Sequence, residues 1–307
     1  MTERAVNPVI QSFIKPINDF AYHFLKKGEG TPRYVMLHAN GFNGGTYQTM
    51  LNRLVEGAEG ISEAHDAWLA PDFRGHGGSY DPGHIESWED FAEDLARWKS
   101  AGVFDRPILI GHSLGGIAAL LYEAAHPGSC EAIVLLDPVM FTPQMQLVLW
   151  FLENPLFRHW HPMVKLALSR REEFPDLEAL AKIYSRKATF RTWSAGVLED
   201  YLKWGTKPSP QGVRLSCRKE IEAEVFSNWP DHVWKVLKDI QCPVLILRGG
   251  DSRTFVSQAL RRVLHRLPHA EGFDIKGAGH FLPMEQPQKV AQAIRDWAKY
   301  LKIKRSS

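Results

Sequence analysis

Short apolar runs alternate with amphipathic stretches along the first 140 residues. Tyr34–Leu37 is an apolar run that ends in a glycine-rich turn, Asn40–Gly45. Ala67–Ala70 is a second run, stopped by Pro71-Asp72. Pro107–Ile110 is a third, and Ala132–Leu136, closed by Asp137-Pro138, is a fourth. Runs of this length bounded by Gly, Pro or Asp suit strands buried on both faces. Between them the period changes. Trp88, Phe91, Leu95 and Trp98 recur at helical spacing within Trp88–Lys99, and Leu114–Ala125 reads as a helix stopped by His126-Pro127-Gly128. Strands alternating with helices of this length predict a parallel sheet with helices on both faces.

The rhythm breaks from about Phe141 to Asn228, where helical segments rich in aromatics occur without a convincing strand. It returns with a strand at Val244–Leu247, a helix at Ser257–Arg266, a short strand near Gly272–Ile275 and a last helix at Pro287–Leu301. The pattern predicts one α/β core, residues 1–140 and 229–307, interrupted by an all-helical insertion over 141–228. The 307-residue length fits that plan better than two independent domains.

Composition narrows the function classes. Apolar residues make up 44% and charged residues 23%, and the formal net charge is +2, so no nucleic-acid footprint is expected. The strongest apolar run, Leu147–Leu152, is far too short for a membrane span. The first residues lack the apolar stretch of a signal peptide and the last three are not a peroxisomal tripeptide. Cys130, Cys217 and Cys242 are odd in number and widely spaced, which argues against a disulfide framework or structural zinc site and for a reducing compartment. A cytoplasmic protein without metal or other cofactor is therefore expected. Oligomeric state is left open.

Candidate chemistry concentrates in a few loops. Gly111-His112-Ser113-Leu114-Gly115-Gly116 follows the Ile108–Ile110 run and opens a helix. A serine at such a strand-to-helix turn presents its hydroxyl above the sheet, at a helix N-terminus that favours negative charge. A hydroxyl needs a base, and His280 in Gly277-Ala278-Gly279-His280-Phe281 follows the last strand at the same carboxyl edge. The third member must orient the imidazole. Asp137 and Asp251 both follow strands and both qualify; Asp239 and Asp274 are less well placed. Transition-state charge needs donors. The Leu114 amide is one, and the loop His38–Phe42 should supply the other, with Asn40 ahead of Phe42. Gly-rich Asp72–Ser79 lacks a phosphate-loop signature and reads as a structural turn. His159 and His161 face apart on a helix and have no third metal ligand nearby.

The ensemble HANGF at 38–42, DFRGHGGS at 72–79, GHSLGG at 111–116 and GAGH at 277–280 resembles the α/β-hydrolase fold superfamily from Tyr34 to Leu301. The resemblance implies an eight-stranded, mostly parallel sheet with a helical cap inserted after the sixth strand. It also exposes a departure. The Gly-x-x-Asp frame that many members carry after the seventh strand lands from Gly249 on Ser252, with Asp251 one residue early. Some relatives place the acid after the sixth strand, at the position of Asp137, so Asp137 is preferred and Asp251 kept as the alternative. The implied chemistry is hydrolysis of a small or medium apolar carboxylic ester through an acyl-Ser113 intermediate. Thioester, lactone or carbon–carbon hydrolysis would use the same residues, and a slow ligand-binding or signalling protein is the reading from another class. A serine nucleophile argues against the dehalogenase and epoxide-hydrolase branches. Phe42, His112, Met140, Phe141, Trp150, Trp204 and Phe281 are the expected walls of the substrate pocket.

Overall fold

The structure is a computed structural model, and it describes residues 9–56, 67–142, 145 and 161–306. The strands are β1 (Gln11–Ile17), β2 (Phe20–Lys27), β3 (Tyr34–Leu37), β4 (Trp68–Pro71), β5 (Ile108–His112), β6 (Ala132–Leu136), β7 (Glu173–Phe174), β8 (Thr206–Ser209), β9 (Gly212–Leu215), β10 (Val244–Gly249) and β11 (Ala270–Ile275). The helices are α1 (Gln48–Glu56), α2 (Glu89–Ser100), α3 (Leu114–Ala125), α4 (Pro162–Leu168), α5 (Leu177–Tyr184), α6 (Ala188–Arg191), α7 (Val197–Trp204), α8 (Lys219–Ser227), α9 (Val233–Val236), α10 (Ser257–Arg266), α11 (Leu282–Glu285) and α12 (Pro287–Ser306).

Eight strands form one sheet in the order β1-β2-β4-β3-β5-β6-β10-β11. From β4 onward every neighbouring pair is parallel; β1/β2 and β2/β4 are antiparallel. The central strands are apolar throughout because helices cover both faces. Side chains alternate across the sheet with period two. In β6, Ile133 and Leu135 enter the layer under α2 and α3, while Ala132, Val134 and Leu136 enter the layer under α1 and α12. Each of these side chains is fully buried, which removes roughly 1.5–3 kcal/mol worth of apolar surface from water per large aliphatic residue.

The β1–β2 hairpin was not foreseen. Its register pairs Ile17 with Phe20 across a two-residue turn in which Asn18 has φ 52°. Asn tolerates that left-handed conformation, and the short loop sets the register. β1 is an exposed edge strand containing Pro16, so the apolar periodicity that betrays a buried strand is missing there.

The all-helical insertion is corrected. Residues 161–228 contain α4–α8, but also a three-stranded antiparallel sheet in the order β7-β9-β8. Pro208 and Pro210 exclude a helix, and Gly212, at φ 125°, closes the β8–β9 turn. The β7–β9 pairing joins Glu173 to Arg214, a separation over which local pattern carries no signal. The predicted break in the α/β rhythm is present, between β6 and β10.

Candidate active site

Ser113 sits at the junction of β5 and α3 with φ 53° and ψ −113°. Such a conformation is costly for a residue with a Cβ and is held by its surroundings. Its amide donates to the Leu136 carbonyl at 3.1 Å. The turn needs its glycines: a Cβ on Gly115 would stand 2.1 Å from the Leu37 carbonyl oxygen, and one on Gly111 would stand 2.4 Å from the Gly115 carbonyl oxygen. The same close approach brings the loop after β3 alongside the start of α3.

His280, in the loop between β11 and α11, lies with Nε2 3.2 Å from Ser113 Oγ and Nδ1 2.7 Å from Asp137 Oδ2. A carboxylate only accepts, so Nδ1 carries the proton and Nε2 presents its lone pair to the serine hydroxyl. Asp137, fully buried at the end of β6 with φ 43°, also accepts from the Gly249 amide at 2.9 Å through Oδ1 and from Ser252 Oγ at 2.6 Å through Oδ2. The position on which the Gly-x-x-Asp frame lands is thus occupied by a serine that donates to Asp137. Asp251 is exposed, and its amide donates to the Ala278 carbonyl at 2.9 Å. Its carboxylate has no hydrogen bond to His280. In the tight Gly249–Ser252 turn, Ser252 is turned in to Asp137 while Asp251 is left at the surface.

The two candidate oxyanion donors differ in origin. Leu114 is the first residue of α3, whose own hydrogen-bond ladder leaves that amide unpaired. The Asn40 amide has no acceptor among the described residues. The Asn40 side chain instead donates to the Glu222 carbonyl at 3.0 Å, tying the loop to α8. The Phe42 amide is taken up in a turn to the Ala39 carbonyl at 3.2 Å.

Of the expected pocket residues, Phe42 and Phe281 face each other at 5.8 Å between ring centroids. They are joined by two aromatics of the inserted segment that had not been singled out. Trp193 lies 5.8 Å from Phe42 and 6.0 Å from Phe281, and Tyr201 lies 5.3 Å from Phe42. Met140 is fully buried in the layer under α2 and α3, and Phe141 packs on Trp229. Trp204 lies against Gly45 and His23. Among the described residues, no hydrogen bond or ring contact joins any of these three to Ser113 or His280. Trp150 lies outside the described residues.

His112 has a role its position before Ser113 did not reveal. Its Nε2–H donates to the His280 carbonyl at 2.9 Å, and its Nδ1 accepts from the Tyr47 hydroxyl at 2.7 Å. Tyr47 in turn accepts from the Ala39 amide at 3.0 Å. One buried chain thereby links the loops that carry Asn40, Ser113 and His280. Burial, then the neighbouring His280, push the His112 imidazole well below the ordinary histidine range, so it stays neutral. Tyr47→Phe leaves the Ala39 amide and His112 Nδ1 unpaired in the interior. It is expected to cost about 2–4 kcal/mol of stability and about tenfold in kcat, with KM little changed. Chemical denaturation and steady-state kinetics check both; a wild-type kcat would show that the chain does not position the site.

His38 and His76 are also fully buried. Burial lowers both, His76 to about 3. The unfolded chain therefore takes up protons at about pH 6.5 that the folded chain refuses, and the three histidines subtract stability as pH falls through that value. The ring-proton resonances of His76 and His112 are expected not to titrate between pH 7.5 and 5 in folded protein. A titrating signal assigned to His112 would contradict this.

Among the described residues one group has metal-ligand spacing, Glu123, Cys130 and Cys242, buried at the amino ends of β6 and β10 with the two sulfurs 3.6 Å apart. It is remote in the fold from the carboxyl edge that holds Ser113. All three cysteines are free. No helix among the described residues is long and apolar enough to cross a membrane.

Comparison with known proteins identifies the family of this fold. A Haemophilus influenzae protein provisionally assigned as an esterase/lipase is 24% identical over 298 residues, covering 94% of this chain and 91% of its own. The 2-(acetamidomethylene)succinate hydrolase of Mesorhizobium japonicum is 23% identical over 272 residues, 89% of each chain. The crystal structure of E-2-(acetamidomethylene)succinate hydrolase superposes with a TM-score of 0.78 at 22% identity, covering 95% of this chain and all of the other. The sequence profile described as the alpha/beta hydrolase family matches residues 34–293. With that match spanning six of the eight sheet strands, the Ser113 turn and the His280 loop, the chain belongs to the α/β-hydrolase family and is a hydrolase.

Proposed function

We propose that the protein is a serine hydrolase of small or medium carboxylic esters with an apolar acyl part. The observation that carries this reading is the unbroken hydrogen-bond chain from Ser113 Oγ through His280 to Asp137 Oδ2. His280 Nε2 takes the Ser113 proton as Oγ attacks the carbonyl carbon, while Nδ1–H stays on Asp137, which stabilises the imidazolium. The Leu114 and Asn40 amides receive the oxyanion. The proton passes from Nε2 to the departing alkoxide, the alcohol leaves, and acyl-Ser113 remains. Water then gives a proton to Nε2 and attacks the acyl carbon. That proton returns to Ser113 Oγ as the carboxylic acid departs. Phe42, Trp193, Tyr201 and Phe281 supply apolar surface for the acyl chain. The three free thiols favour a reducing compartment such as the cytoplasm.

A fluorophosphonate probe is expected to label Ser113, with the adduct located by peptide mapping. A panel of p-nitrophenyl esters from acetate to octanoate, with one thioester, should show kcat/KM rising with the first added methylenes. Folded protein that forms no Ser113 adduct would sink the nucleophile assignment. A clear preference for the thioester would move the substrate class.

A further inference from the structure

A second serine–histidine–aspartate array lies on the other side of the HANGF loop. Ser12 Oγ is 2.9 Å from His23 Nε2, and His23 Nδ1 is 2.7 Å from Asp72 Oδ2. The Ser113 array has 3.2 and 2.7 Å at the corresponding places. Ser12 and His23 come from the paired strands β1 and β2, where Ser12 stands diagonally across from His23 in the register Ser12↔Leu25, Ile14↔His23. Asp72 follows β4 and is fully buried.

The tautomer follows from the partners. Asp72 also accepts from the Gly44 amide at 2.7 Å and the Gly78 amide at 2.8 Å. Burial opposes its charge, but the hydrogen bonds from His23 and the Gly44 amide prevail and hold the carboxyl below the usual range. His23 Nδ1 is therefore the donor, and Nε2 turns its lone pair to the Ser12 hydroxyl. The His23 ring is packed against Gly78 and lies beside Trp204, so it cannot swing away freely. Ser12 itself is exposed on an edge strand and open to reagents. A fixed base, an oriented base and an accessible hydroxyl are the requirements for an activated serine.

We propose that Ser12 is a second nucleophile, a modification site that accepts acyl groups from activated esters. His23 Nε2 takes the hydroxyl proton as Ser12 Oγ bonds to the acyl carbon. The bond from that carbon to the leaving oxygen breaks, the leaving group departs as an anion, and His23 releases the proton to solvent. Ser12 is the second residue of β1 and lacks the helix start that gives Ser113 its Leu114 amide. The acyl group is therefore held rather than turned over, and the product is stable acyl-Ser12.

The test uses p-nitrophenyl acetate on full-length Ser113→Ala protein, which removes the competing site, with acetylation followed peptide by peptide. Ser12 is expected to acetylate at least tenfold faster than the exposed Ser169 and Ser257. His23→Gln should bring it to their rate. Ser12→Ala, made with Ser113 intact, should leave ester hydrolysis unchanged. If His23→Gln does not fold, Ser12→Cys and Ser257→Cys are compared instead, with iodoacetamide expected to alkylate the former faster. Ser12 acetylating no faster than Ser169 and Ser257, or the two cysteines alkylating equally, overturns the proposal. The Ser113 assignment would be untouched, because its own adduct is mapped separately.

Discussion

Ser113→Ala and His280→Ala are each expected to lower kcat on a p-nitrophenyl ester by about 10⁴-fold or more, and the double variant by little more than either alone. The two side chains perform one step. Without His280 the proton on Ser113 has no acceptor within 3.2 Å, and without Ser113 the imidazole has no oxygen to activate. KM should change far less, since the surfaces of Phe42, Trp193, Tyr201 and Phe281 are retained. Losses that multiply in the double variant would show that the residues act independently and would contradict the acyl-enzyme route. Ser113→Ala should keep a wild-type melting temperature within a few degrees, because it removes one hydroxyl and no ring packing.

The second large effect separates the two aspartates. Asp137→Asn is expected to reduce kcat by about 10³- to 10⁴-fold, whereas Asp251→Asn should stay within about twofold. An amide at 137 can offer His280 Nδ1 its oxygen or its NH₂ group. The Gly249 amide and Ser252 hydroxyl both require acceptors, so the three donors now at Asp137 cannot all be served. The imidazolium would also lose its compensating charge. Asp251 is exposed and has no bond to His280, so its amide changes only a surface charge. A strong loss in Asp251→Asn with a mild one in Asp137→Asn would reverse the assignment. Ser252 gives a further handle, since its hydroxyl holds Asp137 in place at 2.6 Å.

Much of the core was legible from local pattern. The apolar runs at Tyr34–Leu37, Ala132–Leu136 and Val244–Leu247 are strands because buried parallel strands have no polar face to interrupt them. Ser113 was legible because a strained strand-to-helix turn demands glycines at fixed neighbours. His280 was legible from the loop it shares with Gly277 and Gly279. The β1–β2 hairpin was not, because an exposed edge strand writes no apolar period.

The amino-acid sequence by itself determined the family and marked Ser113 and His280 as candidate nucleophile and base, since each lies in a motif of residues close together in the chain. Tertiary structure alone decided the rest. Asp137 meets His280 across 143 residues of chain, while Asp251 is left exposed. The small sheet of β7, β8 and β9 depends on pairing between distant segments. Tyr47 joins Ala39 and His112 only because β3 and β5 lie side by side. Ser12, His23 and Asp72 meet because a hairpin folds onto the end of β4. Hydrogen bonds are short-ranged and directional, so which distant groups satisfy them is set by the packing of the whole sheet.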